Sequence, residues 1–292
     1  MCDRAPERGL FGPLEVHMDE LMVAGDIGEF VDHILGDFHP VGHADFLADM
    51  VLEPDTRTRL DRLLREQRSK AKIQKHGLVA RRKLLLVGPP GSGKTMTASA
   101  LAGELHLPLY VILLHGLITK FMGETAAKLR LVFDAITEQR GVYLFDEFDA
   151  IGSERGAFND VGEIRRVLNS FLQFLEQDES SSLIVAATNH PSSLDRALFR
   201  RFDDLIEYEH PSAELATEAM KNRLALFDVR RLAWRKATEA AEGLSYSDIT
   251  RACDAAAKEA ILKDSTRIDT DTLVLALAER KRANPTQLRG GA

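Results

Sequence analysis

The sequence predicts an α/β protein, in which a parallel β-sheet with helices on both faces is followed by a smaller all-helical region. Three observations predict it. Five short apolar runs suited to buried strands alternate with helical stretches. A glycine-rich turn joins the first run to a helix. After Pro211 the strand-like runs stop and only helical patterns remain.

The elements read in order as follows. Residues 15–38 suit one or two short helices broken at Gly25, Gly28 and Gly36. Lys83-Leu84-Leu85-Leu86-Val87 reads as a strand, Gly88-Pro89-Pro90-Gly91-Ser92-Gly93 as a turn, and Lys94-Thr95 as the opening of a helix towards Leu105. Further strands are predicted at 108–114, 142–145, 183–188 and 204–208. Between two of them, Ile164, Val167, Leu168, Phe171, Leu172 and Leu175 form one apolar helical stripe. Helices are predicted at 213–227, 232–242, 247–263 and 270–282, with breaks at Gly243 and 264–268. The expected division is an acidic segment at 1–45, a large domain at 46–210, a helical domain at 211–283 and a frayed tail at 284–292.

A chain of 292 residues has room for one large or two modest domains. With 45% hydrophobic and 28% charged residues it is neither low-complexity nor disordered by composition. No apolar run approaches the roughly 18 residues of a membrane span, and the N-terminus lacks the layout of a secretion signal, so a cytoplasmic protein is expected. Cys2 and Cys253 read as free thiols, and His33, His39 and His43 as surface histidines. The net charge of −7 is unevenly spread: residues 1–50 hold 11 acids and two bases, a local charge of −9. That acidity suggests a docking element for a partner. Residues 55–94 instead carry 12 bases and three acids. This run reads as a solvated helix face or as a surface that meets anionic groups, either a neighbour's acidic head or nucleic acid. It contains no aromatic residue to stack on bases, which disfavours single-strand binding.

The chemistry concentrates at three strand ends. Gly88-x4-Gly93-Lys94-Thr95 is a P-loop pattern. Its glycines let backbone N–H groups curl around phosphate oxygens, and the next helix directs its positive end at them. Lys94 reaches the outer phosphates, and Thr95 ligates Mg²⁺. Asp146 and Glu147 end an apolar strand, the first to hold Mg²⁺ through its water shell and the second to polarise the attacking water. Asn189, at the end of the following strand, is placed to orient that water; as a turn-former before His190-Pro191 it also has a structural reading.

Together these residues resemble the AAA clade of the AAA+ ATPases over about residues 46–263. Residues 88–95 are similar to its P-loop, with Ser92 where Thr is more usual. Asp146-Glu147-Phe148-Asp149 resembles its acidic motif, and Thr188-Asn189 its first sensor. Leu194-Asp195-Arg196-Ala197-Leu198-Phe199-Arg200-Arg201-Phe202-Asp203 resembles the segment that carries arginine fingers. The resemblance implies a P-loop five-stranded parallel sheet with an all-α lid. It further implies ATP and Mg²⁺ bound between neighbouring subunits, in a ring that is usually a hexamer. The nucleotide site it implies comprises Gly88, Pro89, Pro90, Gly91, Ser92, Gly93, Lys94, Thr95 and Met96, with Met50 and Val51 along the adenine pocket. Glu147, Asn189, Arg200 and Arg201 are the implied catalytic residues, and Thr95 and Asp146 the metal ligands.

The family usually separates its two arginines by two residues, whereas Arg200 and Arg201 are adjacent, so both stay candidates. Lys120-Phe121-Met122-Gly123-Glu124-Thr125 resembles a pore loop, in which Phe121 and Met122 before Gly123 grip an extended polypeptide; core packing is the competing reading. Residues 158–166 would form a second loop. Gly243-Leu244-Ser245-Tyr246-Ser247-Asp248 resembles the lid segment that approaches the nucleotide, with Tyr246 replacing a glycine and Ser247 an alanine. Trp234 is expected in the lid core.

The function this implies is an ATP-driven remodeller that threads a protein substrate through a homo-oligomeric ring, with a separate protease or adaptor as partner. Two other classes remain open: a nucleotide-gated switch or scaffold without translocation, and a DNA-associated loader or helper.

Overall fold

A computed structural model describes residues 46–113, 122–148, 161–191 and 196–283. Its sheet has five strands, β1 (Lys83–Val87), β2 (Leu109–Leu113), β3 (Val142–Asp146), β4 (Leu183–Thr188) and β5 (Asp204–Glu207). Their order is β2-β3-β4-β1-β5, with every pairing parallel. All five carboxyl ends therefore share one edge.

Side-chain alternation explains why helices cover both faces. Along β1, Leu85 and Val87 face one core with Tyr143, Phe145, Ile184 and Ala186, while Leu84 and Leu86 face another with Val142, Leu144, Leu183 and Val185. The first core is covered by α4 (Met122–Glu138) and α5 (Val161–Gln177), whose Leu129, Phe133, Phe171 and Leu175 are buried in it. Phe145 and Phe171 meet edge to face at 5.0 Å. The second core is covered by α1 (Pro54–Arg68) and α3 (Lys94–Leu105), through Leu60, Leu63, Leu64, Ala98 and Leu101. The short helices α2 (Lys70–Gln74) and α6 (Arg196–Phe199) complete this region.

Beyond β5 come α7 (Ala213–Arg223), α8 (Trp234–Ala241), α9 (Tyr246–Leu262) and α10 (Thr270–Ala283). They enclose a third core around Met220, Leu224, Ile249, Cys253, Leu273 and Leu277. The predicted helix at 213–227 stops at Arg223, because Ala225 and Phe227 bond three residues back and turn the chain towards the Asp228–Arg267 bridge. Trp234 lies at the rim of this core, not within it. It opens α8, half-buried, with the Lys221 ammonium 5.4 Å from its ring.

The basic run is neither a free solvated face nor wholly turned to a partner. Arg59 and Arg81 pair with Asp204, Arg81 also with Glu66, Arg68 with Glu104, Arg57 with Asp61 and Arg82 with Asp178. These acids lie on the chain's own sheet and helices. Arg62, Arg65, Lys72 and Lys75 remain exposed.

Candidate functional site

The carboxyl edge of the sheet gathers the P-loop after β1, Asp146 and Glu147 after β3, and Asn189 after β4. The P-loop's shape depends on glycine at two places. A Cβ on Gly88 would lie 2.4 Å from the Tyr208 carbonyl oxygen, and one on Gly91 2.8 Å from Ser245 Oγ. Tyr208 packs beneath the loop, its hydroxyl 2.6 Å from that of Thr97, and burial raises its pKa. On the other side, the Ser247 N–H donates to the Gly91 carbonyl at 3.1 Å, so the first turn of α9 touches the loop tip.

Lys94 is buried, and its ammonium donates to the Gly88 and Pro89 carbonyls at 2.8 and 2.9 Å and to Asn189 Oδ1 at 2.8 Å. Thr95 Oγ1 donates to Asp146 Oδ2 at 2.8 Å. The P-loop, the acidic strand end and the predicted sensor thus converge on one spot. Ser92 Oγ, within the loop, is buried without a hydrogen-bond partner among the described residues. A buried orphan hydroxyl between positive-φ glycines suits a loop shaped around an anion.

Glu147 is exposed and holds a left-handed backbone conformation, φ 51°. Its N–H donates to Asp146 Oδ1 at 2.8 Å, while the next N–H, of buried Phe148, donates to the Ala187 carbonyl at 2.8 Å. Fixed neighbours on both sides hold a conformation that a residue with a side chain rarely adopts.

Val51 and Tyr246 line a cavity of about 320 Å³ together with Leu52, Glu53, Glu207 and Tyr208. Tyr246 is half-buried, and desolvation pushes its pKa up to about 12. Met50 faces the loop, its methyl 3.5 Å from the point a Cβ on Gly93 would occupy. Met96 is exposed in the first turn of α3.

Arg200 and Arg201 follow α6 at the opposite, amino edge of the sheet, beside the start of β5. Met122 and Gly123 open α4. Phe121, the 1–45 segment and the tail lie outside the described residues, as do 158–160 of the expected second loop; its remainder, 161–166, is not loop but the opening of α5, in keeping with the helical apolar period that includes Ile164. Sequence reasoning missed Tyr208 as the support beneath the loop and assigned no role to Asp203; neither carries a local pattern that would have revealed it. Among the described residues no cluster of three His, Cys, Asp or Glu side chains suits a metal ion, and no helix is long and apolar enough to cross a membrane.

An edge built this way belongs to the P-loop class of nucleotide-binding proteins. Comparison with known proteins narrows the class. The model of the ATPase family associated with various cellular activities (AAA) matches residues 84–210. An uncharacterized AAA family ATPase of Sinorhizobium fredii is 36% identical over 231 residues, covering 78% of this chain and 68% of that protein. The proteasome-activating nucleotidase of Methanococcus maripaludis is 32% identical over 214 residues, 71% of this chain and 53% of its own. The ATP-dependent zinc metalloprotease FtsH of Marinobacter nauticus is 38% identical over 161 residues, 53% of this chain and 25% of its own. The chain therefore spans about half of the nucleotidase and a quarter of the metalloprotease. It belongs to the AAA family: it binds nucleotide and hydrolyses ATP.

Proposed function

We propose that this ATPase works in the cytoplasm as a ring of identical chains, a hexamer, that remodels protein substrates by pulling them through a central pore. The observation that carries the shared site is where the arginines sit. Asp203, two residues beyond Arg201, bonds to the start of β1, whereas the P-loop follows its end. The five residues of β1 span about 16 Å, beyond the reach of an arginine side chain. A guanidinium on that turn serves a neighbour's nucleotide, not its own.

In this reading residues 46–210 carry the site and 211–283 act as its lid. Phosphate oxygens take the place of the present acceptors of Lys94. Glu147 takes the proton of the attacking water, which the Asn189 amide orients. Thr95 and Asp146, already hydrogen-bonded, would hold Mg²⁺, which supplies positive charge against the phosphates. Gly91 couples loop to lid through its carbonyl bond with Ser247. Phe121 and Met122 before Gly123 supply the sequence-tolerant apolar grip on the substrate. The likeness to a proteasome-activating nucleotidase and to a metalloprotease supports a protein substrate and a separate protease or adaptor as partner.

The test is a stable reporter protein carrying an unstructured tail. The native chain unfolds it with ATP, and Phe121→Ala cuts the number of reporters unfolded per ATP consumed by roughly tenfold or more, the loss of one well-packed aromatic contact. An unchanged ratio would refute the pore grip and favour a nucleotide-gated switch.

A further inference from the structure

The turn that carries the two arginines is fastened from several directions. Leu198 before it and Phe202 within it are buried in the core between the sheet and α4–α5. Asp203 Oδ2 accepts the backbone N–H groups of Arg82 at 2.8 Å and Lys83 at 2.9 Å, and the Asp203 N–H donates to the Lys83 carbonyl at 2.8 Å. Arg82 and Lys83 are themselves anchored to the end of α5. The buried Arg82 guanidinium donates to both the carboxylate and the carbonyl of buried Asp178, and Lys83 Nζ donates to the Leu175 carbonyl. Between those two anchor points lies Glu176, which pairs with Arg201.

Arg201 is thus held by its own chain. Its neighbour Arg200, exposed like Arg201, makes no ion pair among the described residues. We propose that Arg200 is the residue that crosses to the adjacent chain's nucleotide, and that Arg201, Glu176 and Asp203 are positioning residues that fix where Arg200 points. This rests on the shared-site reading above and deepens it: in sequence two adjacent guanidiniums have equal standing, and only the fold separates them.

The two kinds of role differ in size. Arg200 meets charge that develops on the γ-phosphoryl oxygens, and its removal costs on the order of 10³-fold in turnover. The Arg201–Glu176 pair is solvent-exposed on both sides, so breaking it shifts turnover only roughly two- to fivefold. Asp203 accepts two backbone N–H groups, and Asn at this place keeps an oxygen for them.

The experiment measures ATP turnover and nucleotide affinity of the full chain at a concentration where the per-chain rate has levelled. Arg200→Ala and Arg200→Lys are expected to lose about 10³-fold in kcat with affinity kept. Arg201→Ala and Glu176→Ala lose roughly two- to fivefold each, the double variant no more than either single one. The exchange of the two residues, Arg201→Glu with Glu176→Arg, recovers turnover. Asp203→Ala lowers kcat without moving KM, and Asp203→Asn restores most of it. A loss in Arg201→Ala as deep as that in Arg200→Ala, with Glu176→Ala no slower than the native chain, overturns the assignment. Failure of the underlying reading looks different. If Arg200→Ala is inactive and gains nothing when mixed with Glu147→Gln, the site is not shared, and if both arginine variants are fully active, neither residue is a finger.

Discussion

Glu147 stands in left-handed backbone between a carboxylate that accepts its N–H and an aromatic ring buried below the sheet edge. Its presence beside Asp146 is legible in the sequence, because an apolar run ending in two acids is a local pattern. The strain is not, because it arises from the Phe148 bond to Ala187, 39 positions onward. Glu147→Gln is expected to keep ATP affinity and to lose turnover by on the order of 10²- to 10⁴-fold, read by nucleotide binding alongside phosphate release. Normal turnover would remove Glu147 from the role of base. Gly91 yields a second prediction at this scale. A methyl there meets Ser245 Oγ at 2.8 Å and the Ser247 Cβ at 2.9 Å, so Gly91→Ala pushes α9 off the loop. Overpacking of this kind costs about 1–3 kcal/mol, so ADP affinity should fall roughly tenfold by titration. The proposed division of labour between Arg200 and Arg201 stays hidden in the sequence for a related reason. Glu176, which separates them, lies 25 positions before Arg201 and comes alongside only through the packing of α5 on the sheet.

The elements were legible wherever a periodic apolar pattern sets them. β4 spans Leu183–Thr188 as the alternation of two buried faces requires, and β5 ends one residue earlier than expected although Tyr208 N–H still bonds to the Val87 carbonyl. The basic run was legible as charge but not as partnership, since Arg68 finds Glu104, Arg82 finds Asp178 and Arg59 finds Asp204 only once α1 and β1 are docked. The Arg82–Asp178 pair is buried on both sides and joins the start of β1 to the end of α5. Arg82→Ala leaves the Asp178 carboxylate unpaired and should destabilise the fold by about 3–5 kcal/mol, seen as a lower urea midpoint. An unshifted midpoint would mean water reaches Asp178. In the helical region, Cys253 is fully buried and burial pushes its pKa up to about 12. In a Cys2→Ser background the native protein should resist a thiol-alkylating reagent, because the thiolate is the reactive form, and label only as α7–α10 unfold. Rapid labelling under native conditions would show that this core opens readily.

In the whole molecule, the sheet separates the nucleotide site from the turn that carries the arginines. Its carboxyl edge holds the P-loop, Asp146, Glu147 and Asn189, and its amino edge holds the turn with Arg200. A parallel sheet enforces this separation, because every strand end of one kind lies on one side. In the proposed ring, head-to-tail packing of identical chains would bring the two edges together, and a rotation that closes would complete the ring. On the proposed reading, hydrolysis needs the neighbour. The measurement that tests it most directly is the steady-state ATP hydrolysis rate per chain as protein concentration rises, with assembly state followed by sizing over the same range. The expected result is a per-chain rate that climbs steeply as the assembly forms and then levels, with Arg200→Ala assembling equally well but staying slow. A monomer that hydrolyses ATP at the full rate would contradict it.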